Sequence, residues 1–325
     1  MEERNSIYDF YKGFLMWGVI WGHCITALLN GDVNTNGIHL ILRTYDMPFF
    51  MLISGFFFSF SVQKYTLKKL ITNKITTILI PTILWGLVCS NFKDVDSYYF
   101  LWAVFLSALI VAVVTTTQLP SYGKMIVFGV IIIALHIQPY YLWNLSYLFP
   151  YFVLGYYGVI IKKQKYYNIE LPIIIFVTCL CFWKSSYTIW NAGANILHGG
   201  GKLALTIALR TIVAISGIIV VKSLLDVSYT YLKTNKKTWV EFVTLCGKNT
   251  LALYILQQIV VFRYVRKIVR FICAHFQTNP FNFNEKFLGY ILAPLLAILI
   301  MWFLVQFILW CKSHKYTNKL FGFKI

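Results

Sequence analysis

Residues Leu288–Leu309 read LGYILAPLLAILIMWFLVQFIL, an unbroken run without a charged side chain. At 1.5 Å per residue such a run makes an α-helix of about 33 Å, enough to cross the roughly 30 Å hydrocarbon core of a bilayer. Leu203–Val221 is similar, interrupted only by Arg210, and Ile126–Leu135 is a shorter run of the same kind. A barrel strand would alternate apolar and polar residues with a period of two. These runs do not alternate, so they predict spanning helices, the other way a backbone can satisfy its own hydrogen bonds in lipid.

The rest of the chain agrees. Of its 325 residues, 59% are hydrophobic and 12% charged, and the mean hydropathy is +0.68. An ordinary soluble domain carries about 25% charged residues, so half the usual solvated surface is missing. The sequence predicts an all-α, polytopic integral membrane protein, with residues 1–325 as a single transmembrane domain and no soluble domain. Ten spans are expected: Phe10–Leu29, Ile38–Phe60, Ile75–Ser90, Tyr98–Thr117, Lys124–Gln138, Leu142–Ile161, Leu171–Ile189, Leu203–Val221, Val240–Phe262 and Leu288–Cys311. There is no internal repeat and no low-complexity linker. The polar Met1–Asp9 segment and the lack of a small-residue cleavage site speak against a cleavable signal.

The net charge is +18. Its basic residues fall between the apolar runs, where they read as topology signal and attraction to anionic lipid rather than as a nucleic-acid surface. With the N-terminus inside, one side collects Arg4, Lys64, Lys68, Lys69, Lys74, Lys124, Lys162, Lys163, Lys165, Lys222, Lys233, Lys236, Lys237 and the tail's Lys312, Lys315, Lys319 and Lys324. Gly31–Gly37 opposite has no basic residue, so an N-in, C-in orientation is expected. Arg263, Arg266, Lys267 and Arg270 dissent. They fall outside in this scheme, on one face of an amphipathic segment, and read either as an interfacial helix or as a miscounted span. Of the seven cysteines, Cys24, Cys89, Cys179 and Cys181 lie in apolar runs as packing residues, and no metal-binding array is expected.

Ionisable residues inside a bilayer each need a reason. On the first span, Lys12 and His23 are eleven residues apart, within about 20° of the same helical face and about 16 Å apart along the axis. Asp9 lies one turn before Lys12 and can pair with it. Histidine is the side chain best suited to move a proton near neutral pH. The alternative is that His23 bonds a neighbouring helix while Lys12 snorkels to the headgroups. On the second span, Arg43 and Asp46 precede Pro48 and the Ser54-Gly55 step, which would let another helix approach closely. Lys64, Lys68, Lys69 and Lys74 follow, as positive-inside signal or as a receptor for phosphates. Arg210 sits in the eighth span above Thr206 and Lys202. Thr250, Tyr254 and Gln257/Gln258 share a face of the ninth. Trp143 and Asn144 open the sixth span at the outer surface, and His39, His136 and His198 are expected at interfaces.

Several of these residues form a pattern. Asp9-Phe-Tyr-Lys12-Gly13 with Gly22-His23 resembles the opening of acyltransferase family 3, polytopic acyl-coenzyme A-dependent O-acyltransferases of cell-surface glycans. Met47-Pro48-Phe49-Phe50 with Ser54-Gly55-Phe56 resembles the family's second-helix signature. The lysine-rich stretch before Pro81 and Cys246-Gly247-Lys248-Asn249-Thr250-Leu251 with Tyr254-Ile255-Leu256-Gln257 resemble later patterns. The departures are Lys12 for arginine, lysines for the later arginines, Asp46 where histidine is common, and Gln257 for a frequent histidine. The resemblance is to the stand-alone form, without an added hydrolase-like domain.

The resemblance implies transfer of an acyl group, expected to be acetyl, from cytoplasmic acyl-coenzyme A to a hydroxyl of an exported saccharide, in a bacterial inner membrane. It implies His23 as base with Lys12, Asp9 and Asp46 around it, and Lys68, Lys69 and Lys74 as cofactor-binding residues. Arg43, Arg210, Trp143, Asn144 and Tyr254 are then expected to position a glycan or lipid-linked acceptor. No metal and no nucleic-acid partner are expected. Two rivals remain: a saccharide transporter using the same polar residues without chemistry, and an assembly protein of a polysaccharide synthase.

Overall fold

The computed structural model describes residues 6–29, 36–89, 98–137, 143–160, 169–183, 196–275 and 285–313. Among them the secondary structure is helical, without strands. The helices are α1 (Ser6–Leu29), α2 (Gly37–Lys64), α3 (Leu67–Lys74), α4 (Ile80–Cys89), α5 (Tyr99–Thr116), α6 (Ser121–Ile137), α7 (Trp143–Tyr156), α8 (Glu170–Cys181), α9 (Ile196–Asn235), α10 (Lys237–Lys248), α11 (Thr250–Gln258), α12 (Arg266–His275), the single turn α13 (Glu285–Phe287), and α14 (Ala293–Ser313). Three π-helical stretches, Ile75–Leu79, Ile259–Val265 and Leu288–Leu292, join α3 to α4, α11 to α12 and α13 to α14.

Six helical stretches are long and apolar enough to cross a membrane: Ser6–Leu29, Gly37–Lys64, Leu67–Leu87, Tyr99–Thr116, Leu205–Asn235 and Leu288–Ser313. The pair Lys237–Lys248 and Thr250–Phe271 makes a seventh if counted as one span bent by 77°. The remaining expected spans coincide with shorter helices. α6 and α8 are apolar but under 18 residues among those described, and α7 has 14. α7 ends at Tyr156, before the expected Ile161, where Gly158 and Ile160 take φ of 75° and 70° and turn the chain. The third expected span starts earlier than Ile75, because the helix continues back through the lysines to Leu67. The ninth is bent because Asn249 leaves helical geometry (φ −112°, ψ 18°).

Two compact units divide the chain. The first holds Met1–Asp46 and Val221–Ile325 and is organised around α1. There α1 lies against α10 at two glycines. A Cβ on Gly13 would stand 2.0 Å from the Val243 carbonyl oxygen, and one on Gly247 would stand 1.6 Å from that of Asp9. Trp17 and Trp21, stacked at 5.2 Å, donate their indole N–H groups to the carbonyls of Pro294 and Gly289. Tyr11 donates to Asp226 on the last turns of α9, where Lys222 pairs with the same carboxylate at 2.9 Å. At 1.5 Å per residue the 40 residues of α9 extend about 60 Å, twice a bilayer core, so a length beyond the membrane is built in.

The second unit, Met47–Val220, is organised around the α2–α7 contact. A Cβ on Gly55 would stand 1.9 Å from the Phe152 carbonyl oxygen, and one on Gly155 would stand 1.9 Å from that of Leu52. The Ser54-Gly55 step is thus a close-approach site, and its partner is a second glycine on α7. Phe58 packs on Phe152 and Phe128 on Phe149, all fully buried. Small residues at the crossing and large rings beside it are how membrane helices gain packing without a hydrophobic drive.

Candidate functional site

α1 carries His23 seventeen residues into an unbroken helix. The imidazole is 7% exposed, and its Nδ1 lies 2.7 Å from Oε1 of the fully buried Gln257 on α11. That amide is itself anchored: its Nε2 donates to the carbonyl of Tyr254 at 3.2 Å, one turn back. A carbonyl only accepts, so the NH₂ end of Gln257 has to face Tyr254 and the oxygen end has to face His23. An amide oxygen also only accepts. His23 therefore carries its proton on Nδ1 and donates it to Gln257, which leaves the Nε2 lone pair available. Phe262 stands beside the ring, centroids 5.0 Å apart.

Two more residues surround this histidine. Arg43, half-buried on α2, is the charged neighbour of both His23 and His39. His39, expected at an interface, is instead buried at 5% exposure. It lies against α1 at Gly22, whose missing side chain leaves room for the ring: a Cβ there would sit 3.7 Å from His39 Cδ2. Neither ring nitrogen of His39 has a hydrogen-bond partner among the described residues. Its backbone N–H is held by the Asn36 side chain at 3.1 Å, which fixes the first turn of α2. A cation and two imidazoles thus occupy one buried region of the first unit.

At the other end of α1, Lys12 Nζ and Asp9 Oδ1 form an ion pair at 2.6 Å, with the carboxylate buried and the ammonium partly exposed. The pairing expected from their one-turn spacing is present. The Asp9 carbonyl contacts Gly247, and two residues on, Asn249 accepts a hydrogen bond from Lys312 of α14 at 2.6 Å while its NH₂ bonds the Leu245 carbonyl at 2.8 Å. These bonds hold the bend between α10 and α11, and so the approach of the segment carrying Tyr254 and Gln257.

The remaining candidates are elsewhere on the chain. Asp46 is buried on α2, three residues beyond Arg43. In the second unit, Lys68 and Lys69 are exposed on α3, with Lys69 over the Tyr65 ring at 4.8 Å. Lys74 is half-buried, 5.2 Å from the Phe58 ring centroid, and borders a small apolar recess lined also by Leu70, Phe105 and Ala112. Arg210 on α9 stacks on Tyr147 of α7, and Asn144 lies one turn before that tyrosine. The side chains of Trp143, Lys202 and His198 lie outside the described ones. No group of three or more metal-ligating side chains exists among the described residues.

Gln257 and His39 were not singled out as site residues by sequence reasoning. For Gln257 the signal was its place, with Thr250 and Tyr254, on a polar stripe of an apolar helix. A buried amide in such a helix needs a partner. For His39 no periodicity marks it, since its burial depends on Gly22 of another helix.

The family model described as an acyltransferase domain matches residues 5–311. The chain is 24% identical over 291 residues to the nodulation protein NolL of Sinorhizobium fredii, covering 79% of this chain and 78% of that one. It is 23% identical over 226 residues to NolL of Mesorhizobium japonicum, covering 58% of this chain and 60% of that one. No solved structure matches.

Proposed function

The chain belongs to acyltransferase family 3, and from that membership we propose that it moves an acetyl group from cytoplasmic acetyl-coenzyme A to a hydroxyl of an exported or cell-surface saccharide. In this reading the protein crosses a bacterial inner membrane ten times, N-in and C-in, with the shorter apolar helices as further spans. The observation that carries the mechanism is the anchored amide of Gln257, which gives His23 the Nδ1–H tautomer.

The Nε2 lone pair of His23 takes the proton of the acceptor hydroxyl as that oxygen attacks the thioester carbonyl. The tetrahedral oxyanion collapses, the C–S bond breaks, and the imidazolium returns its proton to the departing thiolate. Transfer is direct, without an acyl-histidine. Arg43, the cationic neighbour of His23, stabilises the oxyanion, a role of charge placed where negative charge develops. Lys12, held by Asp9, lines the path of the pantetheine arm, and Asp46 supports the same region. Lys68, Lys69 and Lys74 receive the cofactor's phosphates as point charges. Trp143, Asn144, Arg210 and Tyr254 position the acceptor.

The test is acetyl transfer in membranes supplied with labelled acetyl-coenzyme A, comparing wild type with His23→Ala at equal insertion. Label in a saccharide fraction with wild type, lost by about 10³-fold or more in the variant, supports the reading. Equal transfer by both removes His23 as base. No transfer by either, with a saccharide retained on the wrong side of cells lacking the protein, replaces the enzyme by a transporter.

A further inference from the structure

Arg210 is 5% exposed, in the middle of the apolar run Leu203–Val221. Its guanidinium lies over Tyr147, Cζ 4.1 Å from the ring centroid. A cation–π contact of this kind supplies no hydrogen-bond acceptor to the guanidinium nitrogens. Nε–H and one Nη2–H point in parallel along one edge, the geometry that grips two oxygens of a carboxylate or phosphate at once. Both nitrogens are buried, and neither has a hydrogen-bond partner among the described residues. Among the described residues no carboxylate forms an ion pair with Arg210. Buried cations in membrane helices face partners, substrates or water paths, because lipid offers them nothing. Packing on Tyr147 needs only a flat side chain, so it does not account for a charged fork.

The facing helix adds a second observation. Asn144, Tyr147 and Tyr151 fall at i, i+3 and i+7 on α7, one stripe of its surface. Asn144 Oδ1 is also buried without a hydrogen-bond partner among the described residues. The stripe thus presents an idle acceptor one turn from the ring on which an idle double donor is stacked. A hydroxylated ligand with a negative group uses both: the oxyanion takes the fork, and a hydroxyl donates to the amide oxygen.

We propose that the Nε/Nη2 edge of Arg210 is a receptor for an oxyanion carried by the acceptor, either the carboxylate of an acidic sugar or the phosphate of a lipid-linked saccharide. The acceptor is therefore anionic. The carrier's identity as an acyl acceptor rests on the acyltransferase reading, whereas the oxyanion site rests on Arg210 and Asn144 alone.

The experiment uses the purified full chain in detergent and reads thermal unfolding against three probes: methyl glucuronide, methyl glucoside and a short-chain polyprenyl diphosphate. Wild type is compared with Arg210→Lys, which keeps the charge but not the fork, and Arg210→Gln. Saturable stabilisation of wild type by an anionic probe and not by the glucoside is expected. Binding should weaken about 10- to 100-fold in Arg210→Lys, the loss of one charge-assisted hydrogen bond, and disappear in Arg210→Gln. If Arg210→Gln does not insert, Arg210→Lys decides. A response to glucuronide alone assigns the carboxylate, and to the diphosphate alone the phosphate. No response of wild type to either anion overturns the proposal, as does wild-type affinity in Arg210→Lys, which leaves the edge to buried water. Acetyl transfer measured on the same preparations separates the two readings. Arg210-dependent binding without transfer removes the enzyme and keeps the site. Transfer without Arg210-dependent binding does the reverse.

Discussion

Replacing Gln257 by methionine tests how the site sets its proton. Methionine matches the length and bulk of glutamine but offers the imidazole no strong acceptor. In the native protein, Nδ1–H of His23 is satisfied at 2.7 Å by a side chain with no solvent exposure. A buried donor left without an acceptor costs about 1–3 kcal/mol. The ring escapes that cost by moving its proton to Nε2, and the tautomer with a free Nε2 lone pair becomes the minor one. A net penalty of about 1.4 to 2.8 kcal/mol falling on the Nδ1–H form relative to the Nε2–H form lowers the competent fraction about 10- to 100-fold, since each 1.4 kcal/mol is tenfold. Acetyl transfer by Gln257→Met should fall by that factor in kcat/KM. Gln257→Glu, which keeps an acceptor toward Nδ1 but loses the N–H donated to the Tyr254 carbonyl, should recover only part of it. ¹⁵N chemical shifts of the histidine ring, with His23→Ala to assign them, should show the proton moving from Nδ1 to Nε2 in the methionine variant only. Transfer by Gln257→Met within twofold of wild type, with an unchanged ring tautomer, would mean that Gln257 does not set the proton and that the bond is a packing contact.

Three other outcomes follow from the geometry. Gly55→Ala and Gly155→Ala each drive a methyl group to within 1.9 Å of a carbonyl oxygen, so α2 and α7 must separate; a loss of about 3 kcal/mol or more, read as a fall in thermal midpoint, is expected, and an unchanged midpoint contradicts the contact. Asp9→Ala strands Lys12 beside a buried position and should cost about 3 kcal/mol, whereas exchanging the pair for two well-packed apolar residues should cost far less; denaturation of both variants in detergent separates these. Lys68→Ala with Lys69→Ala removes two exposed charges, leaving stability within about 0.5 kcal/mol of wild type while raising the KM for acetyl-coenzyme A and flattening its salt dependence; an unchanged KM takes the phosphates away from α3.

The membrane helices were legible in the sequence because lipid makes the requirement local. Each segment in the hydrocarbon must close its own backbone hydrogen bonds, so apolar length alone identified α1, α2, α5 and α14. The Asp9–Lys12 pair was legible for the same reason, its partners being one turn apart. So was the close-approach role of Gly55, though not its partner: Gly155 lies a hundred residues on, and nothing in hydropathy names it. The bend at Asn249 was hidden because the hydropathy of Val240–Phe262 is continuous through it. What breaks the helix is a set of contacts to Asp9 and Lys312.

Local composition and spacing were enough for a polytopic helical membrane protein, for the first-helix face bearing Lys12 and His23, and for a resemblance in motif to one acyltransferase family. Packing between distant segments was needed to show that Gln257 holds the imidazole, 234 residues away in the chain, that His39 is buried beside it, and that two nitrogens of the buried Arg210 find no partner among the described residues. The division has one cause. Helix formation in lipid is settled within a segment, whereas a side chain's protonation and its hydrogen-bond partners are settled by whichever helix packs against it.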